Sequence, residues 1–147
     1  MTDDYQSLVR AIINENHYMT IATTDGRHPW LAPVQFCSDD ALNFYFVSLP
    51  GSRHARHIAH NPEVGIAIFD SGQKPFTGRG IQVEGLASLY SDSENPFATI
   101  GGSDMPSNLS DVAPGYVAFR VEPRHFYVPR GYLEGGLGDE RVEIKMV

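Results

Sequence analysis

The stretch FYFVSLPGSRHARHIAHNP, residues 44–62, decides how the chain is read. Residues 44–48 are aromatic or β-branched up to a serine, the composition of a strand. Gly51 and Ser52 then supply a turn and an N-cap for SRHARHIAH, which Asn61 and Pro62 close as a short helix. The junction gathers the hydroxyls of Ser48 and Ser52, the guanidinium fork of Arg53 and the imidazole of His54 at the positive end of a helix dipole. Such donors suit an anion, and a terminal phosphate in particular. An ordinary serine cap followed by a solvated basic face would have the same spelling.

Outward from this junction the pattern is short β-prone runs separated by turn residues. They are YMTIATT (18–24), WLAPVQFC (30–37), LNFYFVS (42–48), EVGIAIF (63–69), RGIQVEGLASLY (79–90), YVAFRVEP (116–123), HFYVP (125–129) and RVEIKMV (141–147). Asp25-Gly26 and Asp39-Asp40 mark turns, and connections this short predict antiparallel meanders. Residues 3–16 place Tyr5, Leu8, Val9, Ile12 and Ile13 on one face of an amphipathic helix. The expectation is a mainly-β chain of six or seven antiparallel strands with short flanking helices, rolled into a barrel that removes exposed edges. In the run 79–90, Ile81, Val83, Gly85, Ala87 and Leu89 alternate with Gln82, Glu84, Leu86 and Ser88, so one face is partly polar. Residues 91–114 read as a long connection with a helical turn at 97–100, and RGYLEGGLGDER as a loop without a dinucleotide-binding fingerprint.

With 147 residues, 41% hydrophobic and 20% charged, the chain is expected to form one domain over 1–147. No apolar run reaches the length of a membrane span, and MTDDYQS lacks a secretory pattern, so a cytoplasmic protein without a membrane partner is expected. Eighteen acidic against eleven basic residues, a net charge of −7, argue against a general nucleic-acid binder. Any anionic ligand must meet a local patch. Cys37 is the only cysteine, which excludes an intramolecular disulfide and a cysteine zinc site, and it reads as a small buried hydrophobe. His54, His57 and His60 recur every third residue but lack an obvious third ligand in good geometry, and no metal is assigned. Trp30 has two readings, packing on a bound ring or filling the barrel rim. His125, Tyr116, Tyr127 and Tyr132 read as core and rim residues, and no nucleophile–base pair stands out to name as catalytic.

Taken in order, YMTIATTDGRHPWLAPVQF, LNFYFVSLPGSRHARHIAHNPEVGIAIFD and GIQVEGLASLY resemble the pyridoxamine 5′-phosphate oxidase-like family of FMN-binding split β-barrels. The likeness covers residues 5 to 90 or so and continues through 115–128. It implies FMN at the interface of a homodimer, with its phosphate held by Ser48 at the strand end and by Ser52, Arg53 and His54 at the helix start, and Val47 also among the cofactor-binding residues. It further implies that Trp30, Leu31, Ala32, Pro33 and Val34 line the flavin ring with backbone groups, and that Gln82 reaches the ring from the long strand. Gln35 stands where relatives acting on phosphorylated pyridoxine carry a lysine, and so faces the ring or the substrate space. His54 replaces the family's usual lysine, which makes phosphate affinity fall as pH rises through the folded pKa of His54. The Arg, Tyr and His pattern that grips pyridoxine phosphate is not recognisable in the C-terminal half, so vitamin B6 oxidation is not the first reading.

The implied function is an FMN-dependent oxidoreductase moving hydride or electrons to or from a small molecule. The alternatives are a non-catalytic flavin carrier and relatives that use a deazaflavin or haem, for which His125 is the one C-terminal histidine.

Overall fold

Period-two burial sets the sheet. In the first strand Met19, Ile21 and Thr23 are buried while Tyr18, Thr20, Ala22 and Thr24 are not, and Ile81, Val83, Gly85 and Ala87 repeat the pattern in the long strand. The structure, a computed structural model, describes residues 2–130 and 140–146; Tyr132 and the glycines of GYLEGGLGD lie outside the described residues. In chain order the elements are α1 (Thr2–Glu15), β1 (Tyr18–Thr24), β2 (Pro29–Gln35), β3 (Cys37–Ser38), β4 (Phe44–Ser48), α2 (Arg53–His60), β5 (Glu63–Phe69), β6 (Gly80–Ser91), α3 (Pro96–Thr99), β7 (Val117–Pro129) and β8 (Arg141–Ile144).

All pairings are antiparallel, and the sheet runs β2-β1-β5-β6-β7-β4-β3, with β8 added to β7. Its two ends are consecutive in the chain, since only Phe36 separates β2 from β3. The sheet therefore wraps around its own inner face, in keeping with a split barrel, although among the described residues no ladder pairs β2 with β3 or β4 to join the ends. Phe36 turns the corner by donating its N–H to the His17 carbonyl at 2.9 Å and setting its ring edge-on to Phe44, with centroids 5.8 Å apart. Phe44, Phe46, Ile21, Ile68, Val83, Val121 and Val128 fill the enclosed core.

The amphipathic helix closes this core as its spacing predicts. α1 lies against β5, β6, β7 and β8 and buries Tyr5, Leu8, Val9, Ile12 and Ile13. The Tyr5 hydroxyl donates to the Arg130 carbonyl at 2.8 Å. No helix among the described residues is long and apolar enough to cross a membrane.

Two strand expectations change. The runs 116–123 and 125–129 form one strand, because Pro123 sits opposite Gly85 at a register shift, where a missing ladder donor is tolerated. The run 30–37 is instead split at Phe36, which brings the total to eight strands. Leu89 also departs from the alternation: it is 61% exposed, next to a second register shift. Cys37 is only partly buried; its Sγ donates to the Pro96 carbonyl at 3.5 Å, and burial pushes its thiol up to about 11.

The connection after β6 is knitted by Asn95, which is 1% exposed. Its side chain donates to the Pro106 carbonyl at 2.8 Å and accepts from Phe97 N–H as the cap of α3, while its own N–H donates to Ser107.

The tightest packing tests the β6–β7 register. A Cβ on Gly85 would lie 2.7 Å from the Glu122 carbonyl oxygen and 2.8 Å from a Val121 methyl, whereas one on Gly51 would meet nothing. Gly85→Ala should lower unfolding free energy by about 1–3 kcal/mol, the usual cost of overpacking, and Gly51→Ala should change it by less than about 0.5 kcal/mol. Urea unfolding of both variants checks this.

Candidate functional site

The end of β4 and the start of α2 are held against β1 by a buried polar pair. His57 Nδ1 and Thr23 Oγ1 are 2.9 Å apart, and both residues are buried, while Ala55 and Ile58 give the same helix face its apolar contact. Ser52 caps the helix, its Oγ accepting from the Ala55 N–H at 3.4 Å. The first i→i−4 bond runs from Arg56 N–H to the Ser52 carbonyl, so the N–H groups of Arg53 and His54 precede the helical ladder.

Three polar side chains meet there. His54 Nε2 lies 2.6 Å from Ser48 Oγ and 3.3 Å from Ser52 Oγ, and the two hydroxyl oxygens are 3.3 Å apart. Ser48 is buried and His54 half-buried, with its ring 6.1 Å from that of Phe46. Burial holds the His54 pKa below the ordinary imidazole value, and charge on His57 lowers it further. The charged form of His54 is thus disfavoured in the free protein. Arg53 supplies the formal charge of this corner; its Cζ lies 4.4 Å from the centroid of the Trp30 ring, and among the described residues it has no carboxylate partner.

The other sequence-singled residues divide by strand parity. Ala32 and Val34 point into the core, which leaves only their backbone for any ligand. Leu31, Pro33 and Gln35 are exposed on the opposite face, and Val47 is half-buried beside Ser48. Leu31 and Gln82 border an open cavity of about 450 Å³ whose floor is made of the small residues Ala22, Gly65 and Ala67, with Tyr127 and Arg141 at its side. The Gln82 Oε1 accepts from Arg141 Nε at 2.8 Å, which turns the amide NH₂ the other way. A neighbouring cavity of about 600 Å³ shares Ala22, Gly65 and Glu84 and includes His125, whose Nδ1 is 2.6 Å from Glu143 Oε1.

The structure thus brings Ser48, Ser52, Arg53, His54 and Trp30 to one corner and puts Leu31 and Gln82 on an outer sheet face. Sequence reasoning missed the Thr23–His57 tie, although Ala55 and Ile58 on the same helix face were a signal that His57 points inward. Nothing in the sequence announced the Arg141 contact, which joins residues 59 positions apart. His54 and His57 turn to different partners, and among the described residues no three His, Cys, Asp or Glu side chains gather as metal ligands.

The family model described as pyridoxamine 5′-phosphate oxidase matches residues 6–128, and the chain belongs to that family. Among curated proteins no relative matches it. Solved structures of similar fold include general stress protein 26 from Bacillus anthracis strain Sterne, at 21% identity over 95% of this chain and 98% of that one, with a TM-score of 0.63. A FAD-binding protein from Mesorhizobium loti is similar at 20% identity over 80% of this chain and 88% of that one, TM-score 0.58. The haem storage protein HutZ from Vibrio cholerae follows at 17% identity over 82% of this chain and 91% of that one, TM-score 0.63. At these identities the likeness is one of fold.

The depressed His54 pKa has a consequence for stability. The unfolded chain binds its proton near pH 6.5, above the folded value, so over that window the unfolded state carries more protons and stability falls on acidification. Denaturant midpoints measured from pH 8 to pH 5 should decline more steeply for the wild type than for His54→Gln.

Proposed function

We propose that the protein binds FMN as a homodimer and moves hydride or electrons between the flavin and a small molecule. The observation that carries this reading is the meeting of Ser48, Ser52 and His54 at the start of α2 beside Arg53, which has no carboxylate partner among the described residues. The fit is chemical: two hydroxyls, two N–H groups ahead of the helical ladder and a guanidinium edge match the acceptor oxygens of a phosphate monoester. The flat floor of Ala22, Gly65 and Ala67 leaves room for a planar ring, in line with the family membership.

Bound flavin supplies the hydride and one-electron chemistry. The chain's own groups bind and orient. Arg53 neutralises the tail, Ser48 and Ser52 donate to it, and the backbone of Trp30 to Val34 with the side chain of Gln35 borders the ring. Val47 shapes the strand end beside Ser48. Gln82, its carbonyl already taken by Arg141, presents its NH₂ to a ring acceptor. A second copy of the chain covers the open groove, where Leu31 is 63% exposed, and excludes water from it. A single cysteine suits a reducing compartment, and we place the protein in the cytoplasm.

Absorption spectra and equilibrium titration with FMN test the reading. Arg53→Ala should keep the fold and lose about 2 kcal/mol of binding, roughly thirtyfold in Kd, the scale of one charged hydrogen-bonding contact. Bleaching of the bound flavin by NAD(P)H would distinguish an enzyme from a carrier. Uptake of haem or a deazaflavin in place of FMN would overturn the cofactor assignment and point to the other chemistry found on this barrel.

A dianion beside His54 favours its protonated form, against the burial that disfavours it in the free protein, so binding is coupled to proton uptake. Affinity is therefore highest at low pH within the range where the phosphate remains a dianion, and it falls as pH rises through the bound-state pKa. His54→Lys should flatten this profile between pH 6.5 and 9.

A further inference from the structure

We infer that Trp30 is the positioning residue for Arg53: its indole face fixes the guanidinium so that the charge meeting an anionic tail is set in place before binding. This rests on the assignment of the corner to a phosphate, and it gives the Trp30 side chain a role through Arg53 and not through the flavin ring.

The Arg53 Cζ lies 4.4 Å above the centroid of the Trp30 ring, within the range in which a cation is attracted to an aromatic face. A guanidinium stacked on an aromatic face keeps its N–H edge for a partner, and that edge is what a phosphate engages in bidentate fashion. A long arginine side chain otherwise loses rotamer freedom when it binds, and a platform that already restricts it lowers that loss.

The platform is braced from below. Trp30 pairs with Thr23 in the β1–β2 ladder, and Thr23 Oγ1 is 2.9 Å from His57 Nδ1, one helical turn beyond Arg53. Strand, platform and helix are thus linked at two points, one polar and buried, the other cation–π and exposed. Among the described residues no carboxylate competes for Arg53, so the indole is its orienting contact. By contrast Trp30 has the parity of the inward-facing Ala32 and Val34, whereas Leu31, on the other parity, borders the groove that would take a ring.

FMN and riboflavin, which share the ring and differ in the phosphate, separate the two roles. Titrations of the full chain, read by quenching of flavin fluorescence, should show Trp30→Leu weakening FMN roughly three- to tenfold while leaving riboflavin unchanged. In an Arg53→Ala background the same substitution should have no further effect. Trp30→Tyr and Trp30→Phe retain an aromatic face and should fall between wild type and Trp30→Leu for FMN alone; they carry the test should the leucine variant fail to fold. Equal losses for FMN and riboflavin, or a loss that persists without Arg53, would overturn the inference.

Trp30 is the only tryptophan, so its emission also reads the corner without flavin. Millimolar inorganic phosphate should change it in the wild type and not in Arg53→Ala. A phosphate response without FMN binding would sink the flavin reading and leave the platform standing. FMN binding that is indifferent to Trp30 would do the reverse, and a chain that binds neither would remove both.

Discussion

Phe36 is the one residue between the strand at one end of the sheet and the strand at the other. Seven strands laid flat would separate those ends by six spacings of about 4.8 Å, or roughly 29 Å, while one residue spans at most about 3.6 Å. The sheet has no option but to curl. That curl encloses the apolar faces as a single core, and it also brings α2, which leaves the end of β4, against β1 and β2. Trp30 on β2 and Arg53 on α2 are neighbours for this reason, and Thr23 and His57 lock the arrangement.

Much of this was legible because the information is local. Period-two runs gave β1 and β5 their bounds, the Tyr5–Ile13 stripe gave α1, and Ser52 with Asn61-Pro62 bracketed α2. What escaped depends on register. Whether Pro123 ends a strand is decided by what lies opposite it, and the Gly85 bulge that tolerates it is set by the β6–β7 pairing. β3 is two residues long and has no periodicity to read. The candidate corner was visible as a strand–serine–helix junction, but the contact of Arg53 with Trp30 and of Arg141 with Gln82 joins residues far apart in sequence, and no spacing rule reports it.

The corner also differs in kind from one built on two fixed charges. Burial disfavours the charged form of half-buried His54, so among the described residues of the corner Arg53 is the one with permanent charge, and the remaining donors are dipoles. In a chain of net charge −7 this keeps the local field of the corner modest. An anion proposed for this corner would be recognised by geometry at short range more than by long-range attraction.

The segment from 96 to 106 is closed at its base by the buried Asn95 amide and by the bridge between Glu94 and Asn108. Asn95 serves the cap of α3 and the carbonyl of Pro106 together, while Cys37 of β3 donates to the Pro96 carbonyl and ties the same segment to the barrel wall. The turns beyond 101 carry no strand of the wrapped sheet, so changes in their length are expected to spare it provided the knot is kept. The excursion is therefore a natural graft point, where descendants of one scaffold can diverge in what they contact without renegotiating their fold.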